Sequence, residues 1–206
     1  MTSLLNSKLE IRPLNLSDSQ ELSVVIPLYE NSFPDFERKP FSMIVEGLHS
    51  HKMKAYSIYF HHQGQKDYIG LAFLVVGEMA DILDYLAIHP TYQNHHFGSA
   101  ILAWLTQQDK PFFVEIESTK TPKEDLLPGG STKEDIVRRK KFYLENGLVD
   151  CHQEIYLFKA RMELLASKPE VDFETYWQVM SNYLGSENLP WAKENVRLIE
   201  VDQIKK

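Results

Sequence analysis

A chain of 206 residues is long enough for one domain, or one domain with an extension, and buries a sizeable core without disulfide or metal support. Its content of 43% hydrophobic and 25% charged residues excludes a disordered or fibrous protein. The net charge of −7 argues against nucleic-acid binding, which requires a basic surface, and favours a cationic partner such as an amine.

The sequence contains one cysteine, Cys151, so no disulfide can form within the chain. Residues 1–13 contain no apolar run of signal-peptide length, and no segment approaches the roughly 20 apolar residues that a spanning helix needs. We therefore expect a cytoplasmic protein that does not bind membranes.

The first half of the chain shows the periodicities of both strands and helices. In chain order it predicts a strand over 8–14, a helix carrying Leu22, Val25, Ile26 and Tyr29, a proline-bounded loop over 33–40, a helix over 41–49, strands over 56–60 and 68–76 joined by a hairpin at 63–65, and a strand over 81–88.

The second half continues the alternation of strands and helices. It predicts a helix over 98–107, a strand over 112–117, a surface loop over 118–133, a helix over 134–145 that ends at Asn146-Gly147, and a last pair of strands over 148–151 and 154–159. Strands that alternate with helices and finish in a hairpin predict an α/β fold with a mixed sheet.

The pattern changes at Ser167. The segment 167–170 fits a capping box, and an apolar stripe at helical spacing follows it as far as Gly185. We predict a main domain over 1–165 and a helical extension over 166–206 that packs on it. Two other uses of the extension stay open, a homodimer contact and a lid over the substrate.

Residues 88–100, IHPTYQNHHFGSA, predict the end of a strand, a turn and the start of a helix. Pro90 ends the strand because it cannot donate to a ladder, and Gly98-Ser99 opens the helix. Successive amides in such a turn, together with the first free N–H groups of the helix, attract a diphosphate. An ordinary strand-to-helix connection is the alternative.

Two segments resemble signatures of the GNAT superfamily of N-acetyltransferases. Residues 85–90, YLAIHP, followed by Gln93 and then residues 98–102, GSAIL, resemble its coenzyme A motif. Residues 138–148, RRKKFYLENGL, resemble its second signature, a helix with a tyrosine just before the final strands. The resemblance implies an α/β (α+β) fold with a mixed, centrally splayed six- to seven-stranded sheet flanked by helices.

The coenzyme A motif departs from the family pattern at His96, where a glycine usually stands. If the backbone there has a positive φ, histidine destabilises the turn modestly; if it is helical, there is no penalty. An imidazole facing a diphosphate would add a hydrogen bond. The loop 33–41, FPDFERKPF, also looks like a substrate-side loop of some bacterial members.

The resemblance implies acetyl-CoA as co-substrate, with no metal, and assigns roles to individual residues. Main-chain groups of Leu86, Ala87 and Ile88 would pair with the pantetheine arm, as an added strand does, and stabilise the oxyanion. Tyr143 would protonate the leaving thiolate; packing on the sheet is its alternative role. The amides of Gln93, Asn94, His95, His96, Phe97, Gly98 and Ser99 would hold the pyrophosphate.

The implied reaction is direct attack of a neutral primary amine on the thioester. At pH 7 only about one alkylamine molecule in 2,500 is neutral, because removing the proton of the ammonium form costs roughly 4.6 kcal/mol at that pH. A general base is therefore expected. Alternation places Glu115 and Glu117 on one face of their strand with Phe113. Glu115 matches a position where some family members keep the base, and Asp84 is the second candidate. A solvated or salt-bridged carboxylate is the alternative for each.

Other signals in the sequence indicate no further chemistry. Adjacent histidines in a strand, as in 61–62 and 95–96, point to opposite faces and do not chelate one metal ion easily. The basic run 138–141 is better explained by a solvated helix face, or by contacts to the cofactor's phosphates, than by nucleic acid. No GxSxG elbow is present, and Cys151 is expected to be a small buried residue.

Three functions therefore stay open. The first is an active acetyltransferase whose amine acceptor the sequence does not identify. The second is a non-catalytic GNAT-fold module that binds coenzyme A or a partner, which the departure at His96 favours. The third is a partner-binding protein assembled through residues 166–206.

Overall fold

The computed structural model describes residues 8–126, 130–158 and 160–199 of the chain. These residues belong to two units. The first comprises Met1–Val76 with Leu83–Asp109, and the second comprises Gly77–Ile82 with Lys110–Lys206.

The first unit contains antiparallel strands flanked by three helices. Strand β1 pairs antiparallel with β2, beginning with Leu9 opposite Phe60. Strand β2 pairs antiparallel with β3, beginning with Met53 opposite Val75. The elements are β1 (Leu9–Pro13), α1 (Ser19–Ser32), α2 (Phe41–His49), β2 (Met53–His62), β3 (Gln65–Val75), β4 (Asp81–Ile88) from Leu83 onward, and α3 (Phe97–Thr106).

Local chemistry explains where the first elements begin and turn. The Asp18 carboxylate accepts hydrogen bonds from the amides of Gln20 and Glu21, which caps α1 at the predicted position. The β2–β3 hairpin turns at Gln63 and Gly64, both with positive φ (48° and 78°), as a two-residue turn matched to strand twist requires.

The second unit begins with the first two residues of β4, which pair in parallel with β5, Asp81 with Phe112 and Ile82 with Phe113. Strand β5 pairs antiparallel with β7, and β6 lies between β7 and β8. The elements are β5 (Phe112–Glu117), α4 (Lys133–Glu145), β6 (Val149–Leu157), β7 (Ala160–Ala166), α5 (Phe173–Leu184), α6 (Leu189–Asn195) and β8 (Val196–Leu198).

The hydrogen-bonded strand order is β1-β2-β3-β4-β5-β7-β6-β8. The predicted α/β fold with a mixed sheet is confirmed, and the sheet has eight strands where six to seven were expected. Strands β7 and β8 were not predicted, whereas the two predicted last strands are one strand, β6. Strand β8 lies in the predicted C-terminal extension. The extension is therefore not only helical, and the boundary at 165/166 stays a prediction.

The predicted last pair of strands is wrong in its bounds. Strand β6 runs through the expected break, with an irregular register between Asp150 and Glu154 where His152 has φ 54°. Its hairpin partner is β7, whose sequence ARMELLA lacks the alternation that marks a strand. Lys159, the last residue of the predicted pair, lies outside the described residues.

The predicted capping box at 167–170 is also wrong. The Ser167 hydroxyl accepts a hydrogen bond from the Phe112 amide (2.9 Å). Helix α5 begins six residues later, at Phe173, and its cap is Asp172. The Asp172 carboxylate accepts from the Thr175 amide at 3.0 Å and supplies the cap. A polar residue that serves a distant strand cannot be distinguished from a cap by spacing alone.

A cluster of buried charges holds α4 to the sheet of the second unit. The Lys140 ammonium pairs with Glu163, a carboxylate on β7 that is 3% exposed, and with Asp150 at 2.7 Å. Glu163 also accepts from the amide (2.8 Å) and hydroxyl (2.6 Å) of Thr119. Buried carboxylates need such partners because an unpaired charge in the interior is strongly unfavourable.

Within the described ranges, we find no helix with both the length and the apolar character needed to cross a lipid bilayer.

Candidate functional site

The turn after β4 is fixed at both ends by the first unit. The His89 amide donates to the Ile69 carbonyl of β3 (2.8 Å), and a 3-10 turn over Pro90–Tyr92 follows. The Gln93 side chain reaches back and donates to the Ile88 carbonyl at 3.0 Å, which ties the turn to the end of its strand. The sequence motif assigns Gln93 only an amide role, so this side-chain contact was missed.

Two residues of the turn adopt the left-handed conformation. Asn94 has φ 63°, and His96, directly before α3, has φ 63° and ψ 12°. Of the two backbone conformations that the sequence leaves open at His96, left-handed with a positive φ or helical, the structure has the left-handed one. Left-handed backbone costs an L-residue about 1–2 kcal/mol, although Asn and His tolerate it better than most.

The turn presents a run of main-chain amides without acceptors. The Gln93 amide donates to the Pro90 carbonyl (3.3 Å), and the helical ladder of α3 begins with the Ala100 amide donating to His96 (3.0 Å). Between them, in the part of the chain that the structure describes, the amides of residues 94–99 donate to no protein acceptor. Amides in alternating left-handed geometry beside a helix N-terminus form a site for an anion.

The imidazole of His95 lies on the exposed side of this turn with a defined tautomer. Its Nδ1 is 2.7 Å from the Gln93 carbonyl, and because a carbonyl only accepts, Nδ1 carries the proton. Residues 93–96 are all exposed. The turn is therefore open to a ligand from solvent.

The strand that leads to the turn approaches its neighbour closely. A Cβ added to Gly70 on β3 would lie 2.6 Å from the Ala87 carbonyl oxygen, so only glycine fits there. The parallel register of β4 with β5 consists of the pairs at Asp81 and Ile82, and no described pair of that register reaches Leu86, Ala87 or Ile88. Nothing in the sequence pattern indicates this role of Gly70.

Asp84, the second candidate base, forms an ion pair within the first unit. Both of its oxygens accept from the Lys39 ammonium, at 2.8 and 2.7 Å. The loop that carries Lys39 is fixed by Tyr85, whose hydroxyl accepts from the Lys39 amide (3.0 Å) and donates to the Glu37 carbonyl (3.2 Å). The salt-bridged alternative for Asp84 is the one observed.

In the second unit, Tyr143 is buried on α4, with 9% of its surface exposed. Burial raises its pKa to about 12; the Glu117 carboxylate adds to the rise, whereas the Arg139 guanidinium opposes it. Among the described residues its hydroxyl has no hydrogen-bond partner. The phenol therefore keeps its proton at neutral pH and has it available to donate.

The two glutamates of β5 have different surroundings. Both Glu117 oxygens are engaged, one by the Ser131 hydroxyl (2.6 Å) and the other by Arg139. Glu115 accepts at 2.5 Å from Tyr176, a tyrosine of α5 that also packs edge-on against Phe113. The predicted shared face of Phe113 and Glu115 is thus observed, and Tyr176 is a neighbour that sequence reasoning missed.

The histidine pairs have separate partners. His61 is 2.6 Å from Glu10, and His62 is 2.5 Å from Asp67. In the described portion of the chain, no group of three or more His, Cys, Asp or Glu side chains is placed to hold a metal ion. Cys151 is half-buried, and burial raises the pKa of its thiol to about 11.

The left-handed backbone at His96 gives a first testable expectation. We expect His96→Val to be less stable than His96→Gly by about 1–2 kcal/mol, because a β-branched residue is strained in that region and glycine is not. Chemical denaturation of both variants measures the difference. The same pair of substitutions at His95, which is exposed but does not have positive φ, is the control and should show no such penalty for valine. Equal stabilities at position 96 would contradict the left-handed geometry.

Comparison of the sequence with known protein families and with curated proteins gave no significant match. Solved structures do match the fold. A GNAT-family protein from Bacteroides thetaiotaomicron is 17% identical, with a TM-score of 0.64 over 85% of this chain and 95% of that one. Aminoglycoside 6′-N-acetyltransferase, solved with coenzyme A, is 11% identical, with a TM-score of 0.55 over 79% and 99%. Spermidine/spermine N-acetyltransferase SpeG from Vibrio cholerae is 14% identical, with a TM-score of 0.53 over 79% and 93%. The chain therefore has the fold of the GNAT superfamily, as the two sequence signatures indicate.

Proposed function

We propose that this protein is an N-acetyltransferase that moves an acetyl group from acetyl-CoA to a primary amine. The observation that carries the proposal is the run of amides over residues 94–99, which has no acceptor among the described residues and lies at the start of α3 in a GNAT fold. The first four amides of any helix lack an intrahelical acceptor, and here the open run extends two residues further back into a turn with left-handed residues, which suits a diphosphate.

The cofactor would be held by main-chain groups. The amides of residues 94–99 would bind the diphosphate of acetyl-CoA, and the main chain of Leu86–Ile88 would pair with the pantetheine arm. The aminoglycoside acetyltransferase of the same fold was solved with coenzyme A bound, which supports this use of the fold. The exposed imidazole of His95 would lie beside the phosphates.

In the proposed reaction, the amine nitrogen attacks the thioester carbonyl and forms a C–N bond. A base removes the proton from the nitrogen, the C–S bond breaks, and the Tyr143 hydroxyl donates a proton to the leaving thiolate. Glu115 is the preferred base. Asp84 is ion-paired with Lys39 and Glu117 with Arg139, whereas Glu115 matches the strand position that the family resemblance gives to the base.

The acceptor is proposed only as a chemical class, a cationic primary amine. Proteins of this fold are named for polyamine and aminoglycoside acceptors, so the fold does not select between them. The net charge of −7 favours a cationic amine. A cytoplasmic location, and a homodimer contact through the C-terminal segment, remain part of the proposal.

Calorimetric titration tests the proposal. Acetyl-CoA should bind, and at a concentration of 100 Kd should raise the free energy of unfolding by about 2.7 kcal/mol. ADP, which carries the diphosphate, should compete with it, whereas adenosine should not. Release of free thiol in the presence of a panel of primary amines then measures turnover.

Two results would count against the proposal. If acetyl-CoA does not bind, both the cofactor site and the activity are excluded. If it binds but no amine in the panel accelerates thiol release, the non-catalytic binding module that the sequence also allows becomes the better description.

A further inference from the structure

A hydrogen-bonded cluster connects the tip of the β2–β3 hairpin to the turn after β4. Its centre is Asp67 on β3, whose Oδ2 lies 2.5 Å from His62 Nε2 and also accepts from the Tyr92 hydroxyl. His62 comes from β2, on the other strand of the hairpin. Tyr92 is the last residue of the 3-10 turn and stands two positions before the run of open amides.

Ring contacts hold the opposite end of the amide run. Phe97, the first residue of α3, is 4% exposed and packs edge-on against Tyr92 (centroids 6.0 Å apart) and Phe60 (4.9 Å). Phe60 in turn stacks on His62 at 5.3 Å. Asp67, His62 and Phe60, here called the hairpin clamp, therefore contact the turn through the residues on both sides of its exposed part.

We propose that the hairpin clamp positions the amides of residues 94–99 and so determines how tightly the protein binds acetyl-CoA. Asp67 is then a positioning residue that acts through Tyr92 and touches no substrate. This inference rests on the proposed function, because it assumes that these amides receive the diphosphate.

The negative charge of Asp67 strengthens the hydrogen bonds of the clamp. The Tyr92 hydroxyl, and after it His62, lower the pKa of Asp67, so the carboxylate is ionised throughout the neutral range. Its hydrogen bond to Tyr92 in turn raises the pKa of that phenol, which keeps the donor protonated. An ionised acceptor with two donors resists rotation of Tyr92 away from the turn.

Binding of coenzyme A measured by calorimetry tests the inference. Asp67→Asn and Tyr92→Phe should each raise Kd about tenfold, because small displacements of a positioning group have large effects on a preorganised site. The double variant should bind no more weakly than Tyr92→Phe alone, since asparagine weakens and phenylalanine removes the same hydrogen bond. The kcat at saturating acetyl-CoA should change less than about twofold, because the reacting groups are untouched.

Glu10 supplies the matched control. It is a carboxylate on the same sheet with hydrogen bonds to two side chains, His61 at 2.6 Å and Lys66 at 2.7 Å, and an ion pair with Arg12 at 3.8 Å. All three partners lie outside the clamp. Glu10→Gln should leave Kd unchanged. An equal loss of affinity in Glu10→Gln would mean a general effect on the sheet and would overturn the inference.

The failure of this inference differs from the failure of the proposed function. If the wild-type protein does not bind coenzyme A, the proposed function fails. If it binds and both Asp67→Asn and Tyr92→Phe bind equally well, the function stands and the clamp has no positioning role.

Discussion

Replacing Tyr143 with phenylalanine should lower kcat by about 100-fold or more, which is the contribution expected of a general acid. The substitution removes only a hydroxyl that has no partner among the described residues, so the KM for acetyl-CoA and the free energy of unfolding should stay nearly constant. Steady-state kinetics and chemical denaturation of the same variant measure both effects.

Tyr156→Phe is the control for this experiment. Tyr156 lies on β6 in the same unit, half-buried, with the Arg197 guanidinium 5.2 Å from its ring centre. The same loss of one oxygen there should leave kcat unchanged. If Tyr143→Phe turned over as fast as the wild-type protein, Tyr143 would have no part in the mechanism.

The pKa of Tyr143 also predicts the form of the pH profile. Since burial raises this pKa to about 12, the phenol retains its proton across the usual assay range. Any loss of activity on the alkaline side between about pH 8 and 10 must therefore come from another group. The profile of the remaining activity in Tyr143→Phe should have the same alkaline limb.

Replacing Lys140 with methionine should destabilise the protein by about 3 kcal/mol, because it leaves the buried Glu163 carboxylate without its cation. The side chain of Glu163 is 4% exposed and that of Lys140 20%, so solvent screens the pair only weakly. Urea denaturation at pH 7 measures the loss. Lys141→Met is the matched control: the Lys141 side chain is 70% exposed, its ammonium is 3.6 Å from Glu145, and its removal should cost less than about 1 kcal/mol.

The effect of Lys140→Met should depend on pH in a definite direction. Burial alone would raise the pKa of Glu163, but hydrogen bonds from Lys140 and Thr119 outweigh it, and the pKa is lowered. Burial alone would lower the pKa of Lys140, but its bonds to Asp150 and Glu163 outweigh that, and the pKa is raised. The pair therefore stabilises the fold fully from above about pH 4.3 to below about pH 10.4, and its contribution falls outside these limits. A difference between variant and wild type that did not shrink in acid would contradict this assignment.

Local signals in the sequence predicted the fold well where they were strong. The bounds of α2, β4 and β5 agree with the prediction residue for residue. These bounds depend on apolar periodicity and on turn residues only a few positions away in the sequence. Strand β8 was not predicted, since three residues are too few to show alternation. Its existence depends on pairing with β6, more than 35 residues earlier in the chain.

The candidate site was predictable in outline only. The turn and its amides follow from local sequence, as does the placement of Glu115 on the same face as Phe113. The state of each carboxylate depends on residues far away in sequence: Asp84 pairs with Lys39, 45 positions earlier, and Glu117 with Arg139, 22 positions later. A single sequence contains no signal for such pairs, nor for the left-handed backbone at His96 that the path of the chain imposes.

The short strand β8 has a consequence for the edge of the sheet. It covers Ile155, Tyr156 and Leu157 of β6 and itself presents only Val196–Leu198 at the margin. A chain cut at residue 165 would leave all nine residues of β6 as the outermost strand, with a row of main-chain groups open to another molecule. The final segment therefore shortens the open edge of the sheet, which reduces the scope for self-association by strand addition.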